Sequence, residues 1–259
     1  MIQDGFPLMG ILVATLAVVL AAIEIGYRTG RWRLGKLGGK NESEAQLSAM
    51  TGAHLALMAF IMAFSFNMAA GHYQERRSLV QADANALSTA YLRAGLITAP
   101  ETEVIKTLLI EYTSERAEIS SVNQADVLLQ RSEKLQEEMW KQAQALTQRQ
   151  TPSVLHSLLI QSLNNVFDLH EERVAAGLKH RVPYSLWLAL AALLTLAMMG
   201  IGYFSGLKGQ RNPIASTGLA LSFSLVLLLI ADLDRPTGGM VRADQSAMNN
   251  LLEKLQQSE

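Results

Sequence analysis

Four stretches of the chain are long, almost uncharged and apolar, and the sequence between the second and third of them has helical rather than alternating patterning. The apolar runs are Phe6–Tyr27, Leu47–Ala70, Val182–Phe204 and Ile214–Ala231. A hydrocarbon core of about 30 Å takes roughly 20 residues of helix, so each run predicts a membrane span. The first carries one charge, Glu24, four residues before Arg28 on the same helical face, a spacing at which the two pair. The other three carry none. A signal peptide has a shorter apolar core and a basic residue before it, so the first run is read as a retained span.

Start signals divide the rest into helices. Thr98 with Glu101, and Ser121 with Gln124, have capping-box spacing, and Thr151 before Pro152 is a third start. Pro183 after Val182, and Pro213 after Asn212, predict proline in the first turn of spans three and four, where its missing N–H costs nothing. No proline occurs between Pro7 and Pro100, which predicts that span two continues past Gly71 as one helix to about Ile97. In that extension Ala82, Ala86, Ala90 and Ala94 recur every four residues, a small-residue stripe that reads as core packing. Asp126–Arg149 reads as a surface helix with Leu128, Leu135, Met139 and Leu146 as its apolar stripe, and Asp244–Gln256 as an amphipathic helix with Met248, Leu251, Leu252 and Leu255 on one face.

Charge sets the expected orientation. Arg28, Arg31, Arg33, Lys36 and Lys40 lie between spans one and two, and Lys208 and Arg211 between spans three and four, which predicts both loops on the cytoplasmic side. The residues before span one hold only Asp4 as a charged side chain, so both termini are expected outside the cytoplasm. The expected division is 1–71 for spans one and two, 72–182 for an extracytoplasmic helical domain, 183–233 for spans three and four, and 234–259 for an extracytoplasmic C-terminal helix.

Composition narrows the chemistry. Of 259 residues 49% are hydrophobic and 17% charged, below the roughly 25% of a soluble domain. A net charge of -1 supplies no field for nucleic acid, and the absence of cysteine excludes thiolate metal sites and a cysteine nucleophile. No GxSxG, HExxH, P-loop or dinucleotide fingerprint occurs, so the reading is of a protein that is not an enzyme and uses no cofactor. His170 beside Glu171 and Glu172 reads as a solvated cluster rather than a metal site.

Polar groups within spans are costly and informative. Span two holds His54, Ser65 and Asn67, with Phe60 and Phe64 nearby, and these five residues are the candidate lining of a hydrated path, with Phe60, Phe64 and Phe66 as a hydrophobic gate. Hydrogen bonding between helices is the equal alternative for Ser65 and Asn67. Span four ends on Asp232 and Asp234, beside a helix C-terminus that disfavours negative charge. A salt-bridge network with Arg76, Arg77, Arg93 or Arg173 is favoured over a cation site, and Arg235, Asp83, Asn85, Asn164, Asn165 and Asp168 are counted in the same network. Whether any metal binds there is left open.

Three segments carry a resemblance: Phe64-Ser-Phe-Asn-Met-Ala-Ala-Gly-His-Tyr-Gln-Glu-Arg-Arg-Ser-Leu-Val, Asp83-Ala-Asn-Ala-Leu-Ser-Thr-Ala-Tyr-Leu-Arg-Ala, and Ile230-Ala-Asp-Leu-Asp-Arg-Pro followed by Gly238 and Gly239. With Glu24-Ile-Gly-Tyr-Arg and Arg181-Val-Pro-Tyr-Ser-Leu-Trp they resemble the bestrophin-like domain family of bacterial membrane proteins. The resemblance implies kinship with the bestrophins, oligomeric channels whose second transmembrane helix lines a central pore. Their acidic calcium-binding run has no counterpart in this sequence. The expectation is an all-α, four-span membrane protein with an extracytoplasmic helical domain, homo-oligomeric, in a bacterial inner membrane. Its expected partners are the lipid bilayer, inorganic ions and its own copies. The expected function is an ion channel with an inter-subunit pore lined by span two; a non-conducting sensor or scaffold working through the helical domain is the alternative.

Overall fold

The structure, a computed structural model, describes residues 7–37, 44–117, 122–149, 151, 153–178, 180–236 and 239–257. Asp4, Phe6, Lys40, Ser121, Pro152 and Gly238, used above, lie outside them. Every element among the described residues is an α-helix: α1 Leu8–Leu37, α2 Glu44–Ala94, α3 Pro100–Ala117, α4 Val122–Arg149, α5 Val154–Leu178, α6 Tyr184–Lys208, α7 Pro213–Asp234 and α8 Ser246–Gln256. Four of these, α1, α2, α6 and α7, are long and apolar enough to cross a membrane. The chain forms two compact units, one of residues 1–71 and 181–235, the other of 72–180 and 236–259.

In the first unit α1 and α6 pack in parallel, because each has glycines four residues apart on the facing side. Gly26 and Gly30 of α1 meet Met199, Tyr203 and Gly206 of α6, while Gly202 and Gly206 meet Ile23 and Tyr27. Missing side chains bring backbone to backbone, where lipid-embedded helices gain dispersion and weak Cα–H···O contacts. α7 packs on α1 as well. The Asn212 side chain accepts from the Ala215 N–H at 3.1 Å with Pro213 in the first turn, as expected for the start of α7. At α6 proline falls one position earlier than expected: Pro183 is the N-cap itself.

In the second unit the core joins Leu87, Ala90 and Tyr91 of α2 with Ile105, Leu109 and Tyr112 of α3, Met139 and Leu146 of α4, and Leu159, Leu163 and Val166 of α5. Three of the four alanines of the α2 stripe, Ala86, Ala90 and Ala94, are buried in this cluster, while Ala82 is half-buried and lines an open groove. α8 lays Met248, Leu251 and Leu255 onto the same core and packs on α3. Two expected caps are replaced. Glu101 turns to Arg149 of α4 at 2.7 Å, and α5 begins on Ser153, whose hydroxyl accepts from the His156 N–H at 3.4 Å.

Candidate functional site

Two features are candidates for function: the exposed face of α2, and a buried polar cluster in the second unit. α2 is exposed over much of its surface in the first unit, with Gly52, Ala56, Ala59, Ala63 and Phe66 open as well, and one stripe of it can be followed into the second unit. In the first unit this row consists of Ala53, Leu57, Phe60, Phe64 and Asn67, in steps of four and three residues, one stripe of a helix. Phe60 is 66% exposed and Phe64 51%, and His54 flanks the row with its Nδ1 2.9 Å from the Met50 carbonyl. Ser65 stands apart from the expected path: it is fully buried, and its hydroxyl donates to the Ile61 carbonyl at 2.8 Å.

Counted on through Gly71, the same register gives Gln74, Ser78, Gln81, Asn85 and Thr89 in the second unit, all exposed. These five are uncharged; of the charged residues on this stretch of α2, Glu75, Arg76, Asp83 and Arg93 are buried or half-buried, and Arg77 is exposed at the edge of the row. Asn85 and Thr89 form one wall of an open groove of about 700 Å³ whose other wall is Gln161, Asn164, Asn165 and Asp168 of α5. Arg93, also on the groove, is tied down by donating to the Leu158 carbonyl at 2.8 Å.

Behind the row lies the buried cluster. Asp83 is fully buried, and one of its oxygens, Oδ2, takes Arg173 Nη1 at 2.5 Å and Arg116 Nη2 at 3.3 Å. The other, Oδ1, accepts no hydrogen bond among the described residues. Two guanidinium groups on one carboxylate leave a buried positive excess, and it is felt by the neighbours. Burial, and next Arg116, hold the Arg173 guanidinium down at about 10, still charged at neutral pH. Burial pushes the Tyr112 phenol up to about 12.

Gln136 Nε2 donates to the Tyr112 oxygen at 3.2 Å, and the Tyr112 hydroxyl and His170 Nδ1 share a hydrogen bond at 2.9 Å. His170 is neutral at pH 7. Burial, reinforced by the Arg116 and Arg173 cations against the opposing pull of Asp83, holds it at about 4.

This predicts an acid limit. The folded value lies below the unfolded value of about 6.5, so the unfolded chain binds more protons and stability falls as pH drops from about 6.5 to about 4. Unfolding measured across that window should lose of the order of 2 kcal/mol through this group. His170→Gln should flatten the loss; a variant as acid-sensitive as the parent would refute the assignment.

The structure divides the residues expected in one polar network. Asp83 and Arg173 pair directly. Asn85, Arg93, Asn164, Asn165 and Asp168 line the groove. Arg76 is buried, and Arg77 lines a smaller cleft of about 300 Å³ with Gln74, Ser78 and Asp244. Asp232, Asp234 and Arg235 belong to the other unit and are buried there. Asp234 Oδ1 accepts from the Val182 N–H at 2.8 Å, so this carboxylate fixes the approach to α6. Among the described residues no three His, Asp or Glu side chains are grouped to hold a metal ion.

Arg116, Tyr112, Gln136 and Gln245, whose Oε1 accepts from Arg173 Nη2 at 3.5 Å, were not named from the sequence, and His170, read there as part of a solvated cluster, is instead buried. Two carried a signal: Arg116 continues the buried stripe Ile105, Leu109, Tyr112, and His170 continues Leu159, Leu163, Val166. A charged or titratable residue in phase with an apolar stripe is a buried one, and it needs a partner.

Comparison with known proteins agrees with this architecture. Residues 16–248 match the model of the Bestrophin-like domain. Among solved structures, single-residue variants of a bacterial bestrophin homologue from Klebsiella pneumoniae share the fold. One superposes with a TM-score of 0.68 at 14% identity, covering 95% of this chain and 97% of that one. Another gives 0.69 at 15% identity, covering 95% and 98%. No curated protein sequence matches.

Proposed function

This chain belongs to the bestrophin-like domain family, and from that membership we propose that it assembles with copies of itself into an ion channel whose pore runs between subunits along α2. The family and fold are those of ion channels, and the chain is a multi-pass membrane protein. The observation that carries the reading is the uncharged exposed row of α2. An exposed face with aromatic rings in the membrane half, followed by amides and hydroxyls, suits a conduit: ions pass polar groups that replace water, and apolar rings that exclude it when the path is shut. Charge along it is sparse: Arg77 stands at the edge of the row, and Arg93 and Asp168 line the groove beside Asn85 and Thr89.

In this reading Asn67 stands at the inner edge of the polar stretch, and Phe60 and Phe64 form the constriction. Single-channel recording from the purified, reconstituted protein under a salt gradient tests it. Discrete currents are expected, with conductance changed at least twofold by Asn67→Leu and a raised resting leak in Phe64→Ala. Currents indifferent to both substitutions would remove α2 from the pore. Silence from a properly oligomeric preparation, across voltage and pH, would move the reading to a non-conducting sensor or scaffold acting through the helical second unit.

A further inference from the structure

The parallel packing of α1 and α6 brings their C-terminal ends together, and cations and aromatic rings gather there in a way that ion conduction does not call for. Among the described residues from Glu24 to Glu44 and from Phe204 to Pro213 six are basic and two acidic, a surplus of four positive charges. Helix dipoles do not absorb it: the negative ends of α1 and α6 are offset by the positive N-terminal ends of α2 and α7 in the same segments. Glu24 is already shared, its Oε1 taking Arg28 Nε at 2.8 Å and Arg211 Nη2 at 3.1 Å.

The cations are held at the level of aromatic rings. Lys36 Nζ lies 4.0 Å from the centre of the Trp32 ring, Lys208 Nζ 4.6 Å from Phe204, and the Arg211 guanidinium 4.1 Å from Tyr27. Arg31 reaches across from α1 to Gly209, the left-handed cap that ends α6 at φ 65°. Rings of this kind sit at the boundary between acyl chains and headgroups, and guanidinium forks match the geometry of phosphate oxygens. Two of these guanidiniums are well exposed, Arg28 at 77% and Arg211 at 58%.

We propose that this α1–α6–α7 corner binds the headgroup phosphate of an anionic phospholipid, with Arg28, Arg31, Lys36 and Arg211 as its donors. The assignment uses only the spans and their basic end, so it stands independently of the channel reading. Charge complementarity selects the lipid: a zwitterionic headgroup brings its own cation and gains little from a surplus of four.

The full-length protein is placed in nanodiscs of phosphatidylcholine alone or mixed with phosphatidylglycerol, and retained lipid is read by native mass spectrometry. Phosphatidylglycerol should be enriched over phosphatidylcholine, and raised salt should weaken the enrichment. Each charge near a lipid surface is worth about fivefold in binding. The triple variant Arg31→Gln, Lys36→Gln, Arg211→Gln should therefore lose about 100-fold, and the charge-preserving variant Arg31→Lys, Lys36→Arg, Arg211→Lys should keep most of it. Arg77→Gln, in the other unit, should change nothing.

Equal retention of the two lipids, or enrichment unaffected by the triple variant, would overturn the proposal. Inorganic phosphate displacing the lipid at equal concentration would instead assign a free-anion site and overturn the lipid assignment. If the triple variant fails to fold, the salt titration of the parent decides: enrichment that is flat across salt refutes a charge-based site.

Discussion

Asp83→Asn is expected to destabilise the second unit by about 3–5 kcal/mol, the usual cost of stripping one partner from a buried ion pair. Asparagine has nearly the same shape, so the loss isolates charge. Arg116 is 2% exposed on its side chain and Arg173 10%, so Arg116 has no water to turn to and Arg173 little. Two cations would then face each other with only an amide oxygen between them. The unfolding midpoint of the reconstituted protein should fall sharply, with the fluorescence of Trp140, edge-on to Phe167 in that unit, reporting the loss.

Removing one of the two cations should relieve the other. Asp83→Asn with Arg173→Gln is expected to be more stable than Asp83→Asn alone, because the double variant buries one uncompensated charge instead of two. A single variant that costs less than about 1 kcal/mol would show that the cluster is hydrated in the native protein, where exposed pairs are worth that little. Arg116→Met alone should be milder than Asp83→Asn, since Arg173 still satisfies the carboxylate.

Much of this fold could be read from periodicity, because membrane spans and amphipathic helices write their buried faces plainly. The continuation of α2 past Gly71 followed from a run without proline, and it ends at Ala94, three residues short of the expected Ile97. Cap positions were harder. Thr98 and Glu101 had the right spacing, yet the ion pair between Glu101 and Arg149 outcompetes a local cap, a tertiary contact that no local pattern reveals. Asn67 and Ser65, two residues apart, are both polar in an apolar run, and polarity alone does not say which face of the helix each occupies. On a helix that spacing turns them about 200° apart, and Ser65 duly bonds its own backbone while Asn67 stays exposed. The buried cluster was half visible: Asp83 and Arg173 were named, but a partner on another helix, such as Arg116, depends on how the helices are stacked.

The glycines of α1 and α6 were passed over for a related reason. A pair of glycines four apart is a weak pattern on one helix, and it acquires meaning when a second helix carries the same pair in parallel register. Gly202→Val should therefore be among the most damaging single changes in the first unit. A side chain at Gly202 runs into the Ile23 backbone, and one at Gly26 into the Met199 backbone, neither of which can rotate away. Ordinary overpacking costs about 1–3 kcal/mol when side chains yield; here the helices themselves must part along the whole seam, so the expected loss exceeds about 3 kcal/mol. Size-exclusion chromatography of the solubilised variant should show loss of the monodisperse peak. Gly218→Ala is the matched control: nothing lies within 4 Å of a Cβ there, and alanine should gain up to about 1 kcal/mol of helix propensity. If Gly202→Val behaves like Gly218→Ala, the close seam is wrong. The seam also bears on the proposed function. With backbone against backbone, no hydrated path fits between α1 and α6, so the proposed conduit needs a different surface, and the exposed row of α2 is one that remains open on the outside of the unit.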